Sequence, residues 1–198
     1  MYVKRVFDVV VAFFGVLMLL IPFVIVAILI IADSKGGVFY KQTRVGRDKV
    51  NFELLKFRTM YANSDQLGLL TVGDHDKRIT KIGYWLRKHK VDELPQLLNV
   101  LKGDMSFVGP RPEVIKYVEL YDLQQVQVLS VKPGITDWAS IEFSEENELL
   151  AKSVDPESFY INEIIPSKII QNLKYINKHD IWVDLTIIFL TLKKIMIR

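Results

Sequence analysis

The sequence predicts a mostly helical α+β domain behind an apolar, membrane-associated N-terminal segment, on three observations. Residues 9–32 carry no charged side chain, two short β-patterned runs surround a turn soon after, and apolar residues at helical spacing fill much of the rest. At 198 residues and 50% hydrophobic, the chain is long enough for one globular core plus a further segment. Two large domains are not expected.

The formal charge of +3 is small, so composition lends little support to a nucleic-acid binder. A mildly basic surface suits anionic lipid headgroups equally well. The chain has no cysteine, which excludes a disulfide framework and any thiolate metal site and fits a domain facing the cytosol.

The uncharged run exceeds the roughly 20 residues that cross a bilayer and is too long for the apolar part of a signal peptide. Lys4 and Arg5 precede it; Lys35, Lys41, Arg44 and Arg47 follow it. Basic excess marks the cytoplasmic side, and here it stands at both ends. Pro22 lies near the middle and disfavours the helical conformation at Ile21. Two readings stay open: a re-entrant helical hairpin folding back at Ile21-Pro22, or one crossing helix that tolerates a proline. Asp8 and Ser34 are placed to cap backbone groups at the two ends.

After Gly36 and Gly37, residues 38–43 and 50–57 read as two strands around a turn at 46–49. Ile82, Trp85 and Leu86, then Leu94, Leu97, Leu98 and Leu101, predict helices broken at residues 92–95, with Gly103 ending the second. Residues 109–112, Gly-Pro-Arg-Pro, require a rigid extended loop. A helix is expected over 113–128, a turn at 132–134 and an acidic helix over 142–151. A last helix over 181–197, with Trp182 and the basic residues Lys193, Lys194 and Arg198, either lies on a membrane surface or packs on the core. There is no internal repeat.

Functional-looking side chains are densest between Lys81 and Glu113, centred on Asp92-Glu93-Leu94-Pro95. Proline is tolerated in a first helical turn, whose free amides stabilise an anion there. Neighbouring helical residues point about 100° apart, so the two acids suit different tasks. One carboxylate can attack phosphorus and form an acyl phosphate, while the other holds a Mg2+ ion that bridges phosphate oxygens. The plain alternative is that both acids cap a helix. Lys56, Arg58, Arg87 and Arg111 are the candidate cations for a diphosphate. His75, His89 and His179 lack metal-ligand spacing and are expected on the surface, within or beside basic faces such as residues 87–90. Gly68 and Gly73 form no phosphate loop.

Three stretches carry a resemblance to a known family. They are Lys56-Phe57-Arg58-Thr59-Met60, the block from Asp92-Glu93-Leu94-Pro95-Gln96 to Gly109-Pro110-Arg111-Pro112, and Lys132-Pro133-Gly134-Ile135-Thr136. The chain resembles the bacterial sugar transferases, the monotopic polyprenyl-phosphate phosphoglycosyl transferases, from Lys4-Arg5-x-Phe7-Asp8 to the terminal helix with Asp184. The resemblance implies a re-entrant membrane anchor over residues 1–35 and a small cytoplasmic catalytic domain over 36–198, with interfacial amphipathic helices. It also implies a location on the cytoplasmic face of the bacterial inner membrane.

By the same resemblance, Asp92 attacks the sugar-linked phosphate of a UDP-sugar, UMP leaves, and undecaprenyl phosphate takes the phosphosugar in the first membrane step of glycan assembly. Glu93 matches the magnesium-binding glutamate; Lys56, Arg87 and Arg111 match basic residues of the site. The length is that of a catalytic unit without further domains. Membrane phospholipids, downstream glycosyltransferases and a second copy of the chain are the other implied partners. Two departures stand out. Relatives often carry serine before the hairpin proline, where this chain has Ile21. They commonly continue the third stretch with Gly-Trp-Ala-Gln-Val-Asn-Gly-Arg, whereas residues 137–144 read Asp-Trp-Ala-Ser-Ile-Glu-Phe-Ser. The loop arginine is thus replaced by Ser144 among Glu142, Glu145 and Glu146, which implies a different donor sugar or a different closing residue. A catalytically silent membrane scaffold that recruits glycosyltransferases is the competing reading. A tethered nucleic-acid binder rests on the pI alone.

Overall fold

The computed structural model describes residues 2–64, 68, 70–73 and 76–197; His75 and Arg198 lie outside the described residues. The first element, α1 (Tyr2–Asp33), is a single helix with Pro22 inside it. The chain stays helical through Ile21 and Pro22, with no loop separating two helices. Proline removes one backbone donor and leaves the remaining hydrogen bonds of the helix available, so it can bend a helix without ending it.

Helix α1 is the one described helix long and apolar enough to cross a membrane, and only 11% of its most apolar stretch is buried. A core helix would be mostly covered; this one exposes Met18, Ile21, Phe14 and Ile28. Its inward stripe touches the domain on both sides of Pro22. Ala12 packs with Leu97, Val100 and Met105, while Val26 and Ile30 pack with Phe57 and Leu86. Polar ties fasten both ends. Arg5 donates to the carbonyls of Val100 and Leu101, Lys4 pairs with buried Asp184, and Asp8 accepts from the Phe107 amide. At the other end, Asp33 accepts from the Ile82 amide at 2.9 Å.

The β-hairpin forms as β1 (Phe39–Val45) and β2 (Asn51–Phe57), antiparallel from Phe39 opposite Phe57 to Val45 opposite Asn51. Helix α2 (Lys81–Lys88) starts at Thr80, whose hydroxyl accepts from the Gly83 amide. Helix α3 (Gln96–Lys102) ends at Gly103, whose φ of 98° is left-handed and favours glycine. Short strands β3 (Ser106–Val108) and β4 (Gly134–Thr136) then pair in parallel. The turn expected at 132–134 therefore leads straight into a strand. Gly109 and Gly134 sit where the two backbones cross: a Cβ on Gly134 would lie 2.1 Å from the Gly109 nitrogen.

Two helix expectations need correction. The helix over 113–128 is reduced to α4 (Ile115–Val118) and a 3-10 segment, Gln125–Ser130. Asp122 breaks it, because its carboxylate accepts from the amides of Gln124 and Gln125 and turns the chain, letting Val128 reach the core. The helix over 142–151 is shortened to α6 (Glu146–Ala151), and an unpredicted helix α5 (Trp138–Glu142) precedes it, with Phe143 turned inward between them. Next come α7 (Pro156–Phe159), a π-helical turn (Tyr160–Ile164), α8 (Ile165–Lys178) and α9 (Ile181–Ile197). Periodicity missed the α7–α8 stretch, although Asp155-Pro156-Glu157 is an N-terminal helix signal and Asp155 does cap it. Helix α9 docks through Asp184 and Ile187 and leaves Trp182, Phe189 and Met196 exposed.

Candidate active site

Four segments converge on one cleft of about 670 Å³. Strand β2 supplies Lys56 and α2 supplies Arg87. Lys90, at a left-handed φ of 56°, turns the chain into the 3-10 segment Val91–Glu93, which presents both acids. The fourth segment, residues 109–114, is held from two sides. The Val45 amide donates to the Glu113 carbonyl and Arg44 to the Pro112 carbonyl; Gly109 and Gly134 exchange backbone bonds across β3 and β4 with Thr136 and Pro110. Buried Asp137 accepts from the Arg111 amide and also caps α5 through the Ser140 amide. Arg111 is thus fixed before any ligand arrives.

The adjacent acids stand in opposite situations. Glu93 Oε1 accepts from Lys56 Nζ at 3.0 Å and from Arg111, and Oε2 accepts from Arg111 Nη1 at 3.1 Å. Burial works to raise its pKa, yet Arg111 and Lys56 hold it well below the usual carboxylate range. Asp92 is 6% exposed, and no hydrogen-bond donor among the described residues reaches its carboxylate. Burial first, and the Glu93 charge second, push its pKa up. Burial lowers the pKa of Lys56 despite Glu93, and it lowers that of Arg87. Arg87 donates to Thr71 Oγ1 at 2.9 Å, while its Nη1 is buried without a partner. The cluster therefore offers one free carboxylate, one clamped carboxylate and a guanidinium with donors to spare.

Of the expected diphosphate cations, Lys56, Arg87 and Arg111 meet in the cleft beside Asp92 and Glu93. Arg58 also lines the cleft, but its guanidinium is engaged elsewhere. Its guanidinium donates to the carbonyls of Ser34, Lys35 and Gly37 and approaches that of Ile30, closing the C-terminal end of α1. Carbonyls left without partners at that helix end draw the nearest fork of donors, and Arg58 is it. His89 and His179 are exposed, each against a carbonyl of its own helix.

Sequence reasoning passed over several cleft residues. Glu113 accepts from Tyr160 Oη at 2.5 Å and pairs with Arg44. Lys168 pairs with Glu146 and lies 5.1 Å from the centre of the Tyr160 ring. Ser144, standing where the loop arginine was expected, lines the cleft, and Glu142 faces Gln171 on α8 instead. The π-helical turn at Tyr160 was not legible, since such turns carry no local signature.

The described residues hold no group of three or more metal-ligating side chains. Mg2+ does not need one, because it binds through one or two carboxylates together with substrate phosphates and water. Glu93 Oε2 has a lone pair left after the Arg111 contact, and the unbonded Asp92 carboxylate stands beside it, so the residues fit an ion shared with a phosphorylated ligand.

Residues 1–198 match the family model described as bacterial sugar transferase. The chain is 34% identical over 198 residues to the UDP-N-acetylgalactosamine-undecaprenyl-phosphate N-acetylgalactosaminephosphotransferase of Aeromonas hydrophila, covering 98% of this chain and 44% of that protein. It is 35% identical over 195 residues to the UDP-glucose:undecaprenyl-phosphate glucose-1-phosphate transferase of Escherichia coli, covering 96% of this chain and 39% of the relative. Identity to an uncharacterized sugar transferase of Bacillus subtilis is 42% over 170 residues, 82% of each chain. The chain thus spans less than half the length of the Aeromonas and Escherichia relatives, and the matched part contains the whole cleft. With the match running from α1 to α9, the chain belongs to the bacterial sugar transferase family.

Proposed function

We propose that this protein transfers a phosphosugar from a UDP-sugar to undecaprenyl phosphate through a covalent intermediate on Asp92. The carrying observation is the contrast between the two acids: a clamped Glu93 next to a buried Asp92 that no donor among the described residues engages, in a cleft lined by cations. A carboxylate without hydrogen bonds keeps its lone pairs free, and poor solvation raises its basicity and its nucleophilic power.

Asp92 attacks the phosphorus that bears the sugar. A carboxylate–phosphorus bond forms, the phosphoanhydride bond breaks, and UMP leaves with the bond's electron pair. An oxygen of undecaprenyl phosphate then attacks the same phosphorus, Asp92 leaves as carboxylate, and a polyprenyl diphosphate sugar results. Arg87 and Arg111 hold phosphate oxygens, and Lys56 keeps Glu93 in place. Glu93 and Asp92 would hold Mg2+ beside the donor phosphates, where the ion would neutralise negative charge.

A lipid acceptor requires a site at the membrane. In support, both ends of α1 are tied to the same domain, although a straight helix of that length would reach about 48 Å, beyond the roughly 30 Å of hydrocarbon. The reading is that α1 enters and leaves by one face, bending near Ile21-Pro22, with the exposed apolar side of α9 at the headgroups. Basic residues at both ends of α1 support a place for that face on the cytoplasmic side of the inner membrane, where nucleotide sugars are made.

The test is to incubate purified protein with a panel of UDP-sugars, Mg2+ and undecaprenyl phosphate while following UMP release and intact mass. The expected result is UMP release with one donor and, without acceptor, a mass gain of one phosphosugar mapped to Asp92. Asp92→Asn should lose both, and turnover retained in that variant would overturn the nucleophile assignment. The silent-scaffold reading has no observation in its favour, since a scaffold has no use for a buried, unbonded carboxylate.

A further inference from the structure

Two of the cations around Asp92 are already paired before a donor arrives: Glu93 compensates Lys56 and Arg111, which leaves Arg87, with its unpartnered Nη1, and Lys90 as the other positive charges acting on Asp92. A nucleotide sugar brings one negative charge on each of its two phosphates. Another cation faces the same cleft from a different part of the chain. Lys168, on α8, has a side chain only 12% exposed, with its ammonium against the Glu146 carboxylate and above the Tyr160 ring.

The fold has little need of a cation there. Partly exposed ion pairs add little stability, and a buried pair can often be replaced by apolar side chains of similar volume without loss. Lysine is a point charge on a flexible stem, able to move from one acceptor to another. Its present acceptor, Glu146, is at the start of α6, 24% exposed, and lines the cleft itself. Glu146 also acts electrostatically on Arg111, so its charge is felt on both sides of the cleft.

We propose that Lys168 binds the donor: a phosphate oxygen of the nucleotide sugar displaces Glu146 from the Lys168 ammonium, and Glu146 acts as the counter-ion that holds this cation in the empty cleft. The proposal rests on the transferase reading for the identity of the donor, and it assigns α6 and α8 a part in donor recognition that the Asp92 cluster does not provide.

The experiment uses the full chain in detergent and measures UDP affinity by calorimetry together with the KM of the donor that the wild type turns over. Lys168→Met should weaken UDP binding and raise KM about tenfold, with a much smaller change in kcat, as expected for a lost charged hydrogen bond. Lys168→Arg should recover most of the affinity. Glu146→Gln should tighten UDP binding by removing the competing carboxylate. The double variant Lys168→Met/Glu146→Gln separates binding from structure: it restores affinity if the pair merely supports the fold, and stays weak if Lys168 touches the donor. Unchanged UDP affinity in Lys168→Met, or recovery in the double variant, would overturn the proposal. A wild type that binds UDP but releases no UMP would sink the transferase reading, with the role of Lys168 still decided by UDP affinity.

Discussion

The wall that carries Asp92 and Glu93 and the wall that carries Glu146 and Lys168 face one cleft but are held in unlike ways. In the first, Arg111 is fixed by backbone bonds from β1 and β4 and by Asp137, and its guanidinium closes on Glu93 together with Lys56. In the second, two short helices carry acids that are mostly exposed, and the Glu146–Lys168 ion pair joins them to α8 at the cleft. Chemistry at phosphorus needs groups held within a fraction of an ångström, so it belongs on the first wall. Choice among donors needs contacts that can change without unfolding the protein, which is what the second wall offers.

Breaking the first wall should have the largest effect. Arg111→Met leaves Glu93 short of its main partner, so stability should fall by about 3 kcal/mol, read from the thermal midpoint, and UMP release should be lost. If that variant stays stable and active, the contrast between the walls is wrong. Asp137→Ala cuts the junction, removing the α5 cap and the acceptor of the Arg111 amide, and should cost about 2 kcal/mol with a loss of kcat greater than any change in KM.

Asp92→Asn should act in the opposite direction on stability. Burial and Glu93 both disfavour the ionised form of Asp92, so a neutral isostere removes a cost, and the thermal midpoint should rise by an amount worth about 1 kcal/mol while activity disappears. An unchanged or lower midpoint would show that the Asp92 charge is compensated better than its missing donors imply. The smallest effect belongs to the second wall: Glu145→Ala, exposed and in no ion pair among the described residues, should stay within about 0.5 kcal/mol of wild type and within twofold in KM. A donor-specific change in that variant would extend recognition along the acidic loop, beyond Glu146.

Much was legible because it is local. The uncharged run of residues 9–32 is α1 in outline, the two β-patterned runs are β1 and β2, and Ile181–Ile197 is the last helix with the bounds its periodicity predicts. Asp92, Glu93, Lys56, Arg87 and Arg111 were nameable because acids and basic residues are dense around one proline-marked helix start, and the family resemblance singled out the same five. Arg58 shows the limit. Its side chain carries the same charge as Lys56 two residues away, yet strand alternation cannot tell which of them meets the end of α1.

The sequence by itself determined the elements and the chemical types present: an apolar anchor, a hairpin, an acid pair and a set of cations. Only the tertiary structure decided which acid is clamped and which is free, that residues 106–108 and 134–136 pair in parallel, and that Lys168 turns into the cleft. The physical reason is range. Hydrophobic period, caps and turns act over a few neighbours along the chain, whereas solvation and ion pairing at Asp92 and Lys168 depend on segments tens of residues away that folding alone brings within reach.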